Sequence, residues 1–115
     1  MVFKKGTTKE EVRVAMRQGP GEVHVRELTD AAGRPAKCRV FSEFIINPGC
    51  GIGEHPHVGE TEFYYIIAGS GVVCDNGTEV PVSAGDTMST GNGSTHSITN
   101  TGSEPMVVLG CVVLD

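Results

Sequence analysis

Apolar and polar residues alternate with a period of two along most of this chain, the signature of short β-strands with two chemically different faces. Residues Glu22 to Leu28 alternate in this way. Cys38 to Ile46 is the longest such run, and its phases differ: Val40, Ser42, Phe44 and Ile46 carry no charge, whereas Arg39, Phe41, Glu43 and Ile45 include two. The uncharged phase is therefore expected to face an interior. From Glu62 to Ala68 one phase holds Glu62, Tyr64, Ile66 and Ala68, and the other holds Phe63, Tyr65 and Ile67. The second phase is too apolar to face water comfortably, so burial against a second sheet or a second copy of the chain is expected.

Turn signals separate these runs. Val72 to Asp75 and Thr78 to Val82 flank Asn76-Gly77, the strongest short hairpin signal in the chain. Pro81 places the second of these strands at a sheet edge, because proline has no N–H to donate. Asn47-Pro48-Gly49, Gly69-Ser70-Gly71, Ala84-Gly85-Asp86 and the stretch from Asn100 to Pro105 are further turns, and Met106 to Leu114 is a final strand. Short strands with turns at roughly 8–12-residue spacing suggest a sandwich or barrel.

The start of the chain reads differently. Thr8-x-x-Glu11 has the form of a capping box, and Val12 and Met16 share an apolar face with Ala15 beside it, so one short helix is expected before the Gly19-Pro20-Gly21 turn. A helix of this length is not stable alone and must pack on the remainder or on a partner. The expected organisation is an N-terminal arm over residues 1–21 and an all-β unit over 22–115, since 115 residues are too few for two domains.

Composition narrows the function. A net charge of −5 disfavours nucleic acid and anionic membrane as partners. Cys38, Cys50, Cys74 and Cys111 are scattered and form no CxxC pair, as expected of free thiols in a reducing cytosol. Met1 to Lys5 is followed by Gly-Thr-Thr-Lys-Glu-Glu rather than an apolar run, so neither a signal peptide nor a membrane span is expected and the location is read as cytoplasmic.

The candidate chemistry lies between Gly49 and Asn100. His55 and His57 are two apart and so point to one side of a strand. Val58-Gly59-Glu60-Thr61 reads as a turn that returns the next strand antiparallel beside the first, bringing Glu62 close to both histidines. His96, after the glycine-rich Gly91 to Thr95, is the candidate fourth ligand, with Thr95, Ser97 and Asn100 expected to orient it. Imidazole nitrogen and carboxylate oxygen together suit divalent first-row metals. His24 is expected to be a surface or edge histidine, and Cys50, although close to the ligands in sequence, a small buried residue.

At these residues the chain resembles the cupin superfamily. Gly49, His55, His57, Glu62 and Gly69 fit every position of that family's first motif, and Gly85, Gly93, His96 and Asn100 fit its second. Gly91 stands where proline is usual, a departure at a turn residue that leaves the ligands intact. The resemblance implies a double-stranded β-helix, the jelly-roll barrel. It also implies a divalent metal, manganese, iron, nickel, zinc, cobalt or copper, held by His55, His57, Glu62 and His96.

Four protein ligands leave two positions of an octahedral ion for a small oxygenated molecule. The intact ligand set and Tyr64, the expected catalytic acid or base by strand phase, favour a metal-dependent isomerase, lyase or dioxygenase. A non-catalytic binding or sensing module is the alternative, favoured by a cavity expected to be mainly apolar, with Tyr64, Ile66, Phe44 and Ile46 lining a polar metal floor. Glu62 argues against a thiol dioxygenase, whose three-histidine site lacks it. The Phe63, Tyr65 and Ile67 face suggests a homodimer.

Overall fold

The computed structural model describes residues 1–115. Ten strands form two facing antiparallel sheets. The larger has six strands in the order β1 (Glu10–Val14), β2 (Glu22–Glu27), β3 (Cys38–Ile46), β10 (Met106–Leu114), β5 (Glu60–Ala68) and β8 (Thr87–Thr90). The smaller has β4 (Gly51–Pro56), β9 (Thr95–Thr99), β6 (Ser70–Asp75) and β7 (Thr78–Ser83). This is a jelly-roll barrel, within the sandwich or barrel that the alternating pattern suggests and as the family resemblance implies. No helix is long and apolar enough to cross a membrane.

The core follows strand phase. Ser42, Phe44 and Ile46 are buried from β3, and Glu62, Tyr64 and Ile66 from β5. Facing them, Ile52 of β4, Val73 of β6 and Ile98 of β9 close the apolar cluster with Met106 and Val108 of β10. Gly110 leaves room for the Phe44 ring: a Cβ there would lie 2.2 Å from one of its carbons. The opposite phase of β5 is exposed, Phe63, Tyr65 and Ile67 at 47%, 44% and 46%. The Asn76-Gly77 hairpin has positive φ at both residues (46° and 93°), which suits a type I′ connection, and Pro81 sits on the edge strand β7.

Two expectations are corrected. The segment read as a helix is strand β1, paired antiparallel with β2 from Glu10↔Arg26 to Val14↔Glu22, followed by a single 3₁₀ turn at Met16–Gln18. Five residues of ladder satisfy the backbone that a capping box would have helped, and the Val12 and Met16 spacing does not decide between the two. Strand β5 does not run back beside β4 either: β4 pairs with β9, and β5 with β10 and β8. The link after His57 passes from one sheet to the other, so the two histidines and Glu62 face each other across the barrel interior.

Candidate metal centre

Three strands place the four residues. His55 and His96 are register partners on β4 and β9. His57 lies just beyond β4, pinned by its N–H to the Ser94 carbonyl and by its carbonyl to the Gly93 N–H. Glu62 lies on the inner face of β5, and all four residues are buried. His96 Nε2 is 3.0 Å from His55 Nε2, from His57 Nε2 and from Glu62 Oε1, and His57 Nε2 is also 3.0 Å from Glu62 Oε1. His55 Nε2 and Glu62 Oε1 are 3.9 Å apart.

Hydrogen bonds on the far side of the rings decide what these atoms present. His55 Nδ1 is 2.7 Å from the Gly53 carbonyl oxygen and His57 Nδ1 is 2.5 Å from Glu60 Oε2. Both oxygens only accept, so each Nδ1 carries the proton and each Nε2 presents a lone pair. Burial on its own raises the Glu62 carboxyl, but proton donation and positive charge from the facing rings of His55, His96 and His57 outweigh it and bring the group down to about 2; with the rings neutral, a cation between them would take over that role. Burial pushes His96 below the ordinary imidazole value, keeping it neutral. An anionic oxygen and converging lone pairs at 3.0 Å repel one another unless a cation lies between them.

The spacing fits such an ion. Bonds of about 2.1 Å put neighbouring ligands about 3.0 Å apart in an octahedron and about 3.4 Å apart in a tetrahedron. Four of the six donor pairs, at 3.0 Å, match octahedral neighbours; His55 and Glu62 are wider at 3.9 Å, and all four donor atoms lie within 4.8 Å of one another. The donor set therefore fits a divalent first-row ion.

The orienting groups differ in part from expectation. His96 Nδ1 meets Thr90 Oγ1 of β8 at 2.9 Å. Thr95 instead donates to Glu54, and Asn100 donates to the Ile46 and Glu104 carbonyls, away from the ligands. Sequence reasoning also missed Glu60, assigned to a turn. Its carboxylate bridges His57 to Arg39, which donates to it from Nε and Nη2 at 2.9 and 2.7 Å. The Arg39 hydrogen bond, outweighing partial burial and joined by His57, lowers the Glu60 pKa. Arg39 lies near the start of β3 and Glu60 at the start of β5, with β10 between them, and the signal that could have found Glu60 is the carboxylate–histidine pairing common around metal ligands.

Tyr64 is where its phase puts it. Its ring stacks on His96 at 4.6 Å between centroids and 9° between planes, and meets Phe44 edge-on. Burial, reinforced by the Glu62 carboxylate, holds its phenol well above the ordinary tyrosine value. At neutral pH the phenol can donate a proton and cannot accept one.

A cavity of about 220 Å³ opens beside His55, His57 and Glu62, with Tyr64 and Phe44 on its wall. Ile46 and Ile66, expected to line it, lie in the core instead. The mainly apolar lining is corrected too: Arg13, Arg17, Arg34 and Arg39 face the cavity, two of them from the segment mistaken for a helix. His24 lies outside it, 3.0 Å from Glu10 on the neighbouring strand, and Cys50 packs against the core.

Residues 42–113 match the Cupin domain family. The chain belongs to that family. Among its relatives this cupin is 42% identical over 99 residues, 86% of this chain and 82% of the other, to an oxalate-binding protein of Thermotoga maritima. Among solved structures it is similar, over the whole of both chains, to one described as a predicted oxalate decarboxylase, also from Thermotoga maritima, with a TM-score of 0.94 and 39% identity. The polyketide cyclase RemF from Streptomyces resistomycificus shares the fold alone, at 19% identity and a TM-score of 0.75 over 99% of this chain and 78% of that one.

Proposed function

We propose that this cupin binds oxalate and similar small carboxylates through a divalent metal ion held by His55, His57, Glu62 and His96. One observation carries the reading: four buried donors, three imidazoles and an anionic carboxylate, converge within 4.8 Å of one another, and His55, His57 and Glu62 among them line an arginine-rich cavity. The ion, one of manganese, iron, nickel, cobalt, copper or zinc, would act as a Lewis acid with two positions open to oxygen. The chain's own residues do the rest. Glu60 fixes the His57 ring and Thr90 the His96 ring, while the arginines favour an anion over a neutral molecule. The names of the two Thermotoga maritima relatives agree with this class of ligand.

Turnover is the second reading, and Tyr64 favours it. A buried phenol on the cavity wall that stays protonated beside Glu62 would supply the proton taken up by the carbon from which carbon dioxide departs. The exposed Phe63, Tyr65 and Ile67 face supports a homodimer, and the unpaired cysteines suit a cytoplasmic setting.

Calorimetric titration of oxalate into protein loaded with manganese, and into the same protein after chelation, tests the first reading. Binding is expected only to the loaded form; binding unaffected by chelation would refute it. Formate or carbon dioxide released from oxalate in the same samples, and lost in Tyr64→Phe, would select the second.

A further inference from the structure

The segment Ala15–Gly21 is strained in a way the fold does not require. Ala15, Arg17 and Gln18 have φ of 51°, 52° and 64°, a left-handed region that non-glycine residues enter at a cost. The segment is nevertheless tied down. Ala15 and Gly21 are bonded N–H to carbonyl, Gly51 donates to the Pro20 carbonyl, and the strap packs so closely on β4 that a Cβ at Gly53 would lie 2.0 Å from the Arg17 carbonyl oxygen. Gly53 is also the residue whose carbonyl orients His55. The outcome of this forced path is that Arg17 lines the same cavity as His55, His57, Glu62 and Tyr64.

Charge on the cavity wall is unevenly spent. Arg13 is paired with Glu11 and Arg39 with Glu60. Arg17 and Arg34 enter no ion pair, and Glu27 is the only acid on the wall outside those pairs and the ligand set. The cavity is also larger than oxalate. Its volume of about 220 Å³ exceeds six water volumes of about 30 Å³ each, one for every non-hydrogen atom of oxalate, and covalently joined atoms pack more tightly than waters.

We propose that Arg17, assisted by Arg34, reads a second anionic group on the ligand, so that the site prefers a 2-oxo dicarboxylate to oxalate. One end of such a molecule offers a carboxylate and an adjacent oxygen to the metal, and the other offers a carboxylate to the guanidinium. This rests on the metal-chelate reading above and narrows its ligand class.

The test compares the affinities of manganese-loaded protein for oxalate, oxaloacetate and 2-oxoglutarate by calorimetry, in wild type, Arg17→Gln and Arg17→Gly. Wild type is expected to bind at least one of the longer acids more tightly than oxalate. In both variants the preference for it over oxalate is expected to fall about tenfold or more, the scale of one lost charge-assisted hydrogen bond. Arg17→Gly keeps the experiment falsifiable if the glutamine variant misfolds, because glycine adopts this φ freely; its thermal midpoint is expected to equal or exceed that of wild type. A smaller fall in the preference overturns the inference, as does wild type that binds oxalate and neither longer acid. Binding of none of the three overturns the metal-chelate reading as well.

Discussion

The two ends of this barrel are built from the same strands and held together by opposite means. On β9, His96 and Ile98 are two residues apart on one face, and each is fully buried. Around Ile98 lie Ile52, Val73, Met106 and Ile46, a cluster that needs nothing but its own packing. Around His96 lie two more imidazoles and a carboxylate, an arrangement that apolar contact cannot stabilise and whose lone pairs a cation would neutralise. One end of the barrel is complete as a polypeptide, and the other presents a donor set that a divalent cation would complete.

The sharpest way to break this contrast is to remove a ligand. His57→Ala is expected to reduce bound metal severalfold or more, read by elemental analysis of the purified protein; unchanged stoichiometry would mean that these four residues are not the ligand set. At the other end, Ile98→Ala should cost about 2–5 kcal/mol of unfolding free energy, measured by denaturant titration, while metal per folded molecule stays constant. Metal content falling together with stability would show that the two ends are one cooperative unit. Glu60→Gln separates orientation from ligation: it leaves four ligands but weakens the partner of His57 Nδ1, and metal affinity should drop by about 10- to 100-fold with little change in apo stability. The smallest effect concerns the outer face. Tyr65→Glu is expected to leave metal binding intact and shift sedimentation toward monomer, whereas wild type that sediments as monomer at micromolar concentration would dispose of the dimer.

The same contrast governs what could be read before the structure. The apolar end was legible because strand phase alone decides it: Ser42, Phe44 and Ile46 of the uncharged phase of β3 are buried, and no residue of its partner phase is. The convergence of His55, His57 and His96 with Glu62 was legible through spacing. What failed was pairing. His57 and Glu62 are close in sequence, which suggested one hairpin, yet they face each other from opposite sheets, and alternation carries no record of which strand lies beside which. The arm failed for a related reason, since a capping box and one apolar pair weigh less than the ladder that β2 offers. With the arm misread, the arginines it brings to the cavity could not be foreseen, and the site looked less charged than it is.

Strand β10 lies between β3 and β5 in the middle of the six-stranded sheet, although it is the last strand in the sequence. During synthesis, therefore, β3 and β5 wait with open edges until residues 106–114 leave the ribosome, and neither can seal against the other in the meantime. The mouth of the metal site is assembled from both sides of that gap. A nascent chain thus holds all four site residues by residue 96 yet lacks the strand that sets the spacing between its walls, so the site is expected to take its final geometry only once residues 106–114 have joined the sheet.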